Sequence, residues 1–222
     1  MKNFIRREWL QILILILPFI VLPLAWPYFP ERVPTHWGLN GKVNGWMMKG
    51  TGFFFTMLIL PAINIGLALL LGSLAKIDPK FATVNASSES MRPIRLIVSA
   101  FLLILFLIIV GTSAGIEFDM TNSANILIYL LFFVLGLYLP RVKPNYFVGI
   151  RDPWTLEDPE IWRRTHTFAG KLWPIAAVIA LIAQFVLRSE FVLIAFVAVV
   201  AVTPIVYSFM QYRDKKKRGA VA

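Results

Sequence analysis

The sequence predicts an all-α integral membrane protein with six transmembrane helices, and composition, segment length and charge placement lead to this fold class. Hydrophobic residues make up 58% of the 222 residues and charged residues 15%, whereas soluble domains usually have about 45–50% apolar and about 25% charged residues. Six apolar segments reach or approach the roughly 20 residues that a spanning helix needs. The lysines and arginines between these segments are concentrated in alternate loops.

The six predicted spans follow one another with no loop long enough for a soluble domain. They cover residues 9–29, 53–74, 94–116, 124–139, 168–187 and 191–212. The first run is longer than the core of a signal peptide, about 7–15 residues, and no small-residue cleavage pattern follows it. We therefore expect it to be an uncleaved anchor. The fourth span is short, so we expect it to stand upright or to lie where the bilayer is thin.

Basic residues set the predicted orientation. Eighteen of the 22 lysines and arginines lie at the N-terminus, in the second and fourth loops and in the tail. Cytoplasmic flanks are enriched in these residues, so both termini are predicted to be cytoplasmic, N-in/C-in. The same bias explains the net charge of +10. We predict no nucleic-acid binding from this charge, since no basic recognition module is present. The chain has no cysteine, which excludes disulfides and cysteine-bound metals.

The loop of residues 30–51 is predicted to be a small extracytoplasmic fold, because Asn40-Gly41 and Asn44-Gly45 are typical turn dipeptides. Two interpretations stay open for this loop: an aromatic belt at the lipid interface, or a surface that binds an external molecule. The residues of the second interpretation are His36, Trp37, Trp46 and Lys49. A lone histidine does not make a zinc site, so we predict no metal and no other cofactor.

The cytoplasmic loop of residues 141–171 has the densest polar chemistry in the chain. Asp158-Pro159 is a strong helix start, because Asp caps helices and Pro suits the first helical position. From there the pattern predicts an interfacial amphipathic helix that lies in the headgroup plane. We expect this helix to bend at Pro174 into the fifth span.

One stripe of the predicted helix carries Trp162, His166, Ala169 and Trp173, which fall at helical spacing. His166 has two interpretations. It is an interfacial histidine between two tryptophans, or it is a polar anchor for a ligand or partner.

A compact turn, Gly149-Ile150-Arg151-Asp152, precedes the helix, and its glycine allows a sharp bend. Arg151 also has two interpretations. It forms a structural salt bridge with Asp152, Asp158 or Glu160, or it binds a lipid phosphate, because arginine prefers planar, bidentate partners.

These motifs resemble the SdpI family of bacterial membrane immunity proteins. The first matching set comprises Asn145, Gly149-Ile150-Arg151, Trp154-Thr155, Trp162, His166 and Gly170-Lys171-Leu172-Trp173. The second set is similar to an N-terminal module of unknown function that is often fused ahead of that family, and it comprises Pro34-Thr35-His36-Trp37, Asn40-Gly41, Trp46 and Lys49. The two sets predict two modules, residues 1–91 and 92–222.

The resemblance implies a multi-spanning protein of the bacterial plasma membrane that protects its cell from a secreted antimicrobial peptide toxin. In the founding system the family also signals, by holding a small transcriptional repressor at the membrane once toxin is bound. The implied partners are a peptide toxin, a cytosolic repressor and membrane lipids, with no enzyme activity. The predicted binding residues are Asn145, Gly149, Arg151, Trp154, Trp162, Arg163, Arg164, His166 and Trp173 inside, and His36, Trp37, Trp46 and Lys49 outside.

A second function class is a membrane enzyme acting on a lipid-linked substrate. It would place Arg151 and His166 at a headgroup phosphate, with Asp158 or Glu160 as the base. This hypothesis requires a buried polar pocket at the inner interface that holds these side chains together.

A third class is a small transporter or channel, which requires a continuous polar pathway. Asn64 and Gln184 are among the few polar residues within the spans. We expect them to form hydrogen bonds between helices instead.

Overall fold

The computed structural model describes residues 2–38, 41–80, 88–117, 119–189 and 191–219. Within these residues, six helices are long and apolar enough to cross a membrane, which confirms the predicted all-α, multi-span fold class. They are α1 (Lys2–Ala25), α2 (Thr51–Ile77), α3 (Arg92–Ser113), α4 (Met120–Tyr138), α6 (Pro159–Leu187) and α7 (Phe191–Lys217). A short helix, α5 (Pro153–Glu157), precedes α6.

The loop between α1 and α2 is folded, as predicted, and its fold is an antiparallel hairpin of β1 (Arg32–Trp37) and β2 (Val43–Met48). Gly41 has a positive φ of 76° and lies in the turn, while Asn40 is outside the described residues. Asn44-Gly45 was expected to form a second turn, and that expectation is wrong because both residues lie within β2. Gly45 serves close packing instead, since a Cβ there would lie 2.7 Å from the Cβ of His36.

The described residues form two compact units, of which the first comprises Met1–Leu70 and Arg95–Ile128. The apolar core of this unit joins the base of the hairpin to α1, α2 and α3. Aromatic side chains fill it in edge-to-face pairs, for example Phe29 and Phe53 with ring centroids 5.2 Å apart. The buried residues of the core are Leu22, Phe29, Val33, Phe53, Met57, Phe106 and Val110.

A buried polar cluster lies between α1, α2 and α3 in the same unit. Ser99 accepts a hydrogen bond from Gln11 Nε2 on its hydroxyl (2.8 Å) and one from Asn64 Nδ2 on its carbonyl (3.2 Å). Arg95 forms an ion pair with the buried carboxylate of Glu8. The prediction that Asn64 bonds to another helix is therefore confirmed, whereas the sequence analysis did not identify Glu8 and Gln11.

The second unit comprises Leu71–Ile94 and Tyr129–Ala222. Its helix α6 is continuous over 29 residues, with Pro174 inside it. The separate interfacial helix predicted from the sequence is thus the first part of α6. Pro174 fits because α4 has no side chain at Gly136, where a Cβ would lie 2.6 Å from Pro174 Cδ.

A second glycine contact holds the start of α6 against the end of α4. A Cβ on Gly170 would lie 2.5 Å from Pro140 Cγ and 3.1 Å from the carbonyl oxygen of Gly136. Small residues allow helices to approach closely in membranes, where packing replaces the hydrophobic effect as a driving force. Tyr129 adds a polar contact, since its hydroxyl donates to Gln184 Oε1 at 3.0 Å, as expected for Gln184.

The two units interleave along the chain and therefore differ from the two modules that the sequence predicts. Each unit takes residues from both sides of position 91. The division into modules 1–91 and 92–222 stays a prediction, because it concerns motifs and not compactness.

We predict that Gly170→Ala destabilises the protein by about 1–3 kcal/mol, the usual cost of overpacking a well-packed contact. The matched control is Gly66→Ala in α2, where a new Cβ would meet nothing within 4 Å. That control should be neutral or stabilising, because alanine favours a helix over glycine by about 0.5–1 kcal/mol. Thermal unfolding of the purified protein in detergent micelles measures both, and equal unfolding temperatures for the two variants would contradict the packing described.

Candidate functional site

The candidate site is built around the loop from Val142 to Asp152, which we call the GIRD loop after Gly149-Ile150-Arg151-Asp152. Asn145 organises its first half from a fully buried position. The Asn145 amide nitrogen donates to the carbonyls of Lys143 and Val148, both at 2.9 Å. The Asn145 amide oxygen accepts the N–H groups of Phe147 (2.8 Å) and Val148 (2.6 Å). One side chain thus satisfies four backbone groups, which asparagine does well in turns.

His166 fixes the second half of the loop. Its ring is fully buried, and the N–H of Ile150 donates to Nε2 at 3.1 Å. Nδ1 lies 2.8 Å from the carbonyl oxygen of Trp162. Because an N–H only donates and a carbonyl only accepts, Nδ1 carries the proton and His166 is the neutral Nδ1–H tautomer. Both ring nitrogens are therefore used by the backbone.

Gly149 lies directly against this histidine. Its φ of +116° is in the region that L side chains rarely adopt, and a Cβ there would collide with His166 Nε2. The ring of Trp162 stacks on the ring of His166, with 4.0 Å between centroids and an interplanar angle of 17°. The indole N–H of Trp162 donates to the carbonyl of Val142 at 2.8 Å. Trp162 and His166 together bind both ends of the loop.

Asp152 ends the GIRD loop and caps α5. Its Oδ1 accepts the N–H of Thr155 at 2.8 Å, and the Thr155 hydroxyl accepts the N–H of Asp152 at 3.0 Å. This is a reciprocal capping box, which satisfies two backbone donors at once. The second oxygen of Asp152 accepts the hydroxyl of Ser208, on α7, at 2.5 Å.

Asp158 repeats the same arrangement at the start of α6. Its Oδ1 accepts the N–H groups of Glu160 (2.8 Å) and Ile161 (3.2 Å), which confirms the predicted helix start. Its Oδ2 accepts from Lys215, on α7, at 2.5 Å. Burial raises the pKa of Asp158, but the bonds from Lys215 and the two backbone N–H groups outweigh burial, and the net pKa is lower than usual. Both capping carboxylates therefore also bind α7.

Arg151 is exposed at the surface of the loop. Its Nη1 donates to the carbonyl of Tyr146. Among the described residues it forms no ion pair with Asp152, Asp158 or Glu160, so the expected salt bridge is absent there. The reason is that Asp152 and Asp158 cap helices and bond to α7, while Glu160 pairs with Arg164 at 2.6 Å.

Asp78 is a buried anchor that the sequence analysis did not identify. Its Oδ2 accepts the N–H of Tyr146 at 2.7 Å, and its Oδ1 accepts the N–H of Lys80 at 2.9 Å. It ties the GIRD loop to the end of α2. The signal available in the sequence was Asp78-Pro79, a dipeptide typical of a turn after a helix.

The hairpin holds the second set of predicted residues. His36 Nδ1 lies 2.5 Å from Asn44 Oδ1, so an amide and not a carboxylate is its partner. Lys49 Nζ donates to the carbonyl of Phe29 at 2.9 Å. Trp37 is half-buried and Trp46 is exposed, with the guanidinium of Arg32 5.3 Å from its ring centroid. No group of three potential metal ligands occurs among the residues that the structure describes.

Comparison with known proteins identifies relatives for both parts of the chain. Residues 141–208 match the SdpI/YfhL protein family. The resemblance to the SdpI family is confirmed. Residues 13–60 match a domain of unknown function, DUF1648. The chain is 21% identical over 215 residues to "Immunity protein SdpI" of Bacillus subtilis (strain 168). The aligned region covers 96% of this chain and 97% of that relative. No solved structure matches the chain.

The segment that matches the SdpI family contains the whole GIRD loop and its supports on α5, α6 and α7. Of the nine predicted residues in it, Asn145, Trp162 and His166 are buried, and they shape the loop from within. Gly149 provides the room for His166. Exposed or half-buried positions are occupied by Arg151, Trp154, Arg163, Arg164 and Trp173.

Two of the half-buried residues hold α7. Trp173 Nε1 donates to the carbonyl of Val200 at 3.0 Å. The ring of Trp154 packs on that of Phe209, with centroids 5.1 Å apart. Thr155, which is part of the matching motif, belongs to the same arrangement. Ser208 also belongs to it and was missed as a site residue, because nothing in the sequence shows which distant hydroxyl a capping Asp will bind.

We predict that Gly149→Ala destabilises the protein more than Gly115→Ala. Both glycines have positive φ, +116° and +91°, but a Cβ on Gly115 would meet nothing within 4 Å whereas one on Gly149 would meet His166 and Trp162. Both variants carry the cost of an alanine at positive φ, so the difference between them reports the steric contact. We expect this contact to lower the free energy of unfolding by about a further 1–3 kcal/mol. Thermal unfolding in micelles measures the difference, and equal losses would show that His166 does not fill the space beside Gly149.

We also predict a pH-dependent effect of Asp158→Asn. Asn caps helices about as well as Asp, so the variant loses mainly the charge that faces Lys215. A carboxyl with a lowered folded-state pKa stabilises the fold above its unfolded pKa of about 3.9, and this stability is lost as pH falls through the folded pKa. Wild type should unfold at a higher temperature than the variant at pH 7. The gap should begin to close near the unfolded pKa, at about pH 4, and should vanish once pH is below the lower folded-state pKa of Asp158. Asp214→Asn, an exposed change on α7, is the control, and a gap that persists in acid would contradict this account.

Proposed function

We propose that this chain is a membrane immunity protein that protects a bacterium from a secreted antimicrobial peptide, and that it is not an enzyme. The observation that carries the proposal is the likeness to "Immunity protein SdpI", which extends over 96% of this chain. The likeness includes the hairpin, the six long helices and the GIRD loop, so it is not confined to one apolar segment. The location that we propose is the bacterial plasma membrane, with both termini in the cytoplasm.

The geometry of the GIRD loop does not favour the enzyme hypothesis. That hypothesis requires Arg151, His166 and an acid in one polar pocket. His166 uses both nitrogens for backbone groups, which leaves none to exchange a proton with a substrate. The acids Asp158 and Glu160 are bound to Lys215 and Arg164. Within the part of the chain that the structure describes, no specific contact favours a second function.

The site residues divide into two roles under this proposal. The buried residues Asn145, Trp162 and His166 position the loop. The exposed cations Arg151 and Arg163 are the groups that a partner could contact, and Arg164 is partly engaged by Glu160 and Gln211. Trp37 and Trp46 of the hairpin are the groups that we propose would meet the toxin.

We further propose that the loop relays toxin binding to a cytosolic repressor, as the family resemblance implies. A ligand shifts a conformational equilibrium only by its difference in affinity for the two states. Such a relay therefore needs contacts that differ between toxin-bound and toxin-free arrangements. We propose that the bonds of α7 to Asp152 and Asp158 are these contacts, because they join separate elements through single side chains.

Protection is tested by expressing the chain in Bacillus subtilis 168 that lacks its own SdpI, in co-culture with the parent strain. We expect wild type to restore survival. Arg151→Ala should reduce it while leaving membrane levels unchanged, because the Arg151 side chain is exposed. Trp162→Ala should reduce both survival and membrane levels, because that ring supports the loop from inside.

The matched control is Lys216→Ala, which removes an exposed cation from α7 outside the predicted site. It should protect like wild type. If wild type and all variants leave survival unchanged at equal membrane levels, the protective role is wrong. If Lys216→Ala loses as much as Arg151→Ala, protection depends on total charge and not on the GIRD loop.

A further inference from the structure

A cavity of about 360 Å³ opens beside the GIRD loop. Its volume is within the range of about 300–1,000 Å³ that is usual for small-molecule sites. Its walls come from the loop and from α4, α6 and α7. The lining positions on α7 extend from Val197 to Ile205, which is about 12 Å along the helix at 1.5 Å per residue. The cavity therefore follows α7 over about this length, which leaves room for part of an extended hydrocarbon chain.

The lining of the cavity is apolar except at the GIRD loop. Phe132 and Trp173 supply two aromatic walls, with ring centroids 4.9 Å apart. The charged residues that line it are Arg151 and Asp152. Asp152 is buried, and its two oxygens accept from Thr155 and Ser208, so its charge is already solvated by the protein.

Arg151 differs from Asp152 in this respect. A guanidinium has five N–H donors, and the bond that Arg151 makes within the described residues goes to the carbonyl of Tyr146. A carbonyl does not neutralise its charge. The site thus combines an apolar slot, lined by α7 over about 12 Å, with an exposed cation at the loop.

We propose that this cavity binds an anionic phospholipid, with its phosphate on Arg151 and one acyl chain lying along α7. Arginine binds phosphate oxygens through paired, charge-assisted hydrogen bonds, and basic pockets between membrane helices recognise anionic headgroups. The acyl chain fills the apolar slot, and the phosphate supplies the negative charge that neutralises Arg151. The site lies within the second compact unit and does not depend on the toxin or on the orientation of the protein.

The test uses the purified full chain in detergent micelles, titrated with phosphatidylglycerol that carries brominated acyl chains. Bromine quenches nearby tryptophans, and Trp173 lines the cavity. The chain has seven tryptophans, and exposed ones such as Trp9 are also quenched. We expect a saturable component of the quenching that is lost in Trp173→Phe. Brominated diacylglycerol, which has no phosphate, should bind about tenfold more weakly, the usual effect of losing a charge-assisted hydrogen bond. Phosphatidylcholine, whose choline cancels the net charge, should be intermediate.

Variants separate the two halves of the site. Arg151→Gln should weaken phosphatidylglycerol binding about tenfold and abolish its advantage over diacylglycerol. Ala201→Phe places a ring in the slot from an exposed position on α7, and it should reduce the quenching by every lipid. Lys216→Gln changes an exposed cation on α7 outside the cavity and outside the predicted site; it is the control and should bind like wild type.

Several outcomes would overturn the proposal. Wild-type affinity in Arg151→Gln would show that Arg151 does not bind the phosphate. An equal loss in Lys216→Gln would show that only general surface charge matters. Equal affinity for diacylglycerol and phosphatidylglycerol would show that the cavity recognises only hydrocarbon. If brominated phosphatidylglycerol fails to quench and an apolar peptide with a free C-terminal carboxylate does bind, the cavity is a peptide site.

Discussion

The hydrogen bond from the Ile150 N–H to His166 Nε2 is the constraint on which the rest of the candidate site depends. It sets the tautomer of the histidine, because the nitrogen that accepts cannot carry the proton. It brings the backbone of the loop so close to the ring that only glycine fits at position 149. It also turns the chain so that the next residue, Arg151, faces outward. A neutral imidazole is well suited to this task, since it offers one donor and one acceptor in a rigid plane.

The surroundings of this bond explain why so many polar residues are buried beside a membrane. A backbone loop at the end of a span has donors and acceptors that lipid cannot satisfy, and each unsatisfied group costs several kcal/mol in hydrocarbon. Asn145 satisfies four of these groups, Trp162 one and Asp78 another. Many of the polar residues that are concentrated in this segment therefore serve to satisfy the backbone groups of a loop at the end of a span. Exposed Arg151 is the residue that this explanation does not need.

The sequence predicted the spans well because their signal is local. The six observed helices agree with the expected segments to within a few residues at most ends, since apolar length alone defines them. The stripe of Trp162 and His166 was also predictable from helical spacing. Its burial against protein was not, because periodicity cannot distinguish a face that meets lipid from one that meets a loop. The partners Ser208, Asp78 and Glu8 were missed for a similar reason: they join positions far apart in the chain, and no local pattern records such pairings.

The two N-cap residues of the site make the same kind of contact to the last helix, α7. Asp152 and Asp158 each give one carboxylate oxygen to the start of their own helix and the other to α7. Their partners on α7, Ser208 and Lys215, are seven residues apart, which places them on one face two turns from each other. A displacement of α7 would therefore break both bonds together and leave two helix starts with altered caps. Because α7 also forms a wall of the cavity beside Arg151, whatever occupies that cavity acts on the same helix. We therefore infer that a ligand in the cavity would affect the GIRD loop and the start of α6 through these two carboxylates, and such an effect needs no hinge within α6.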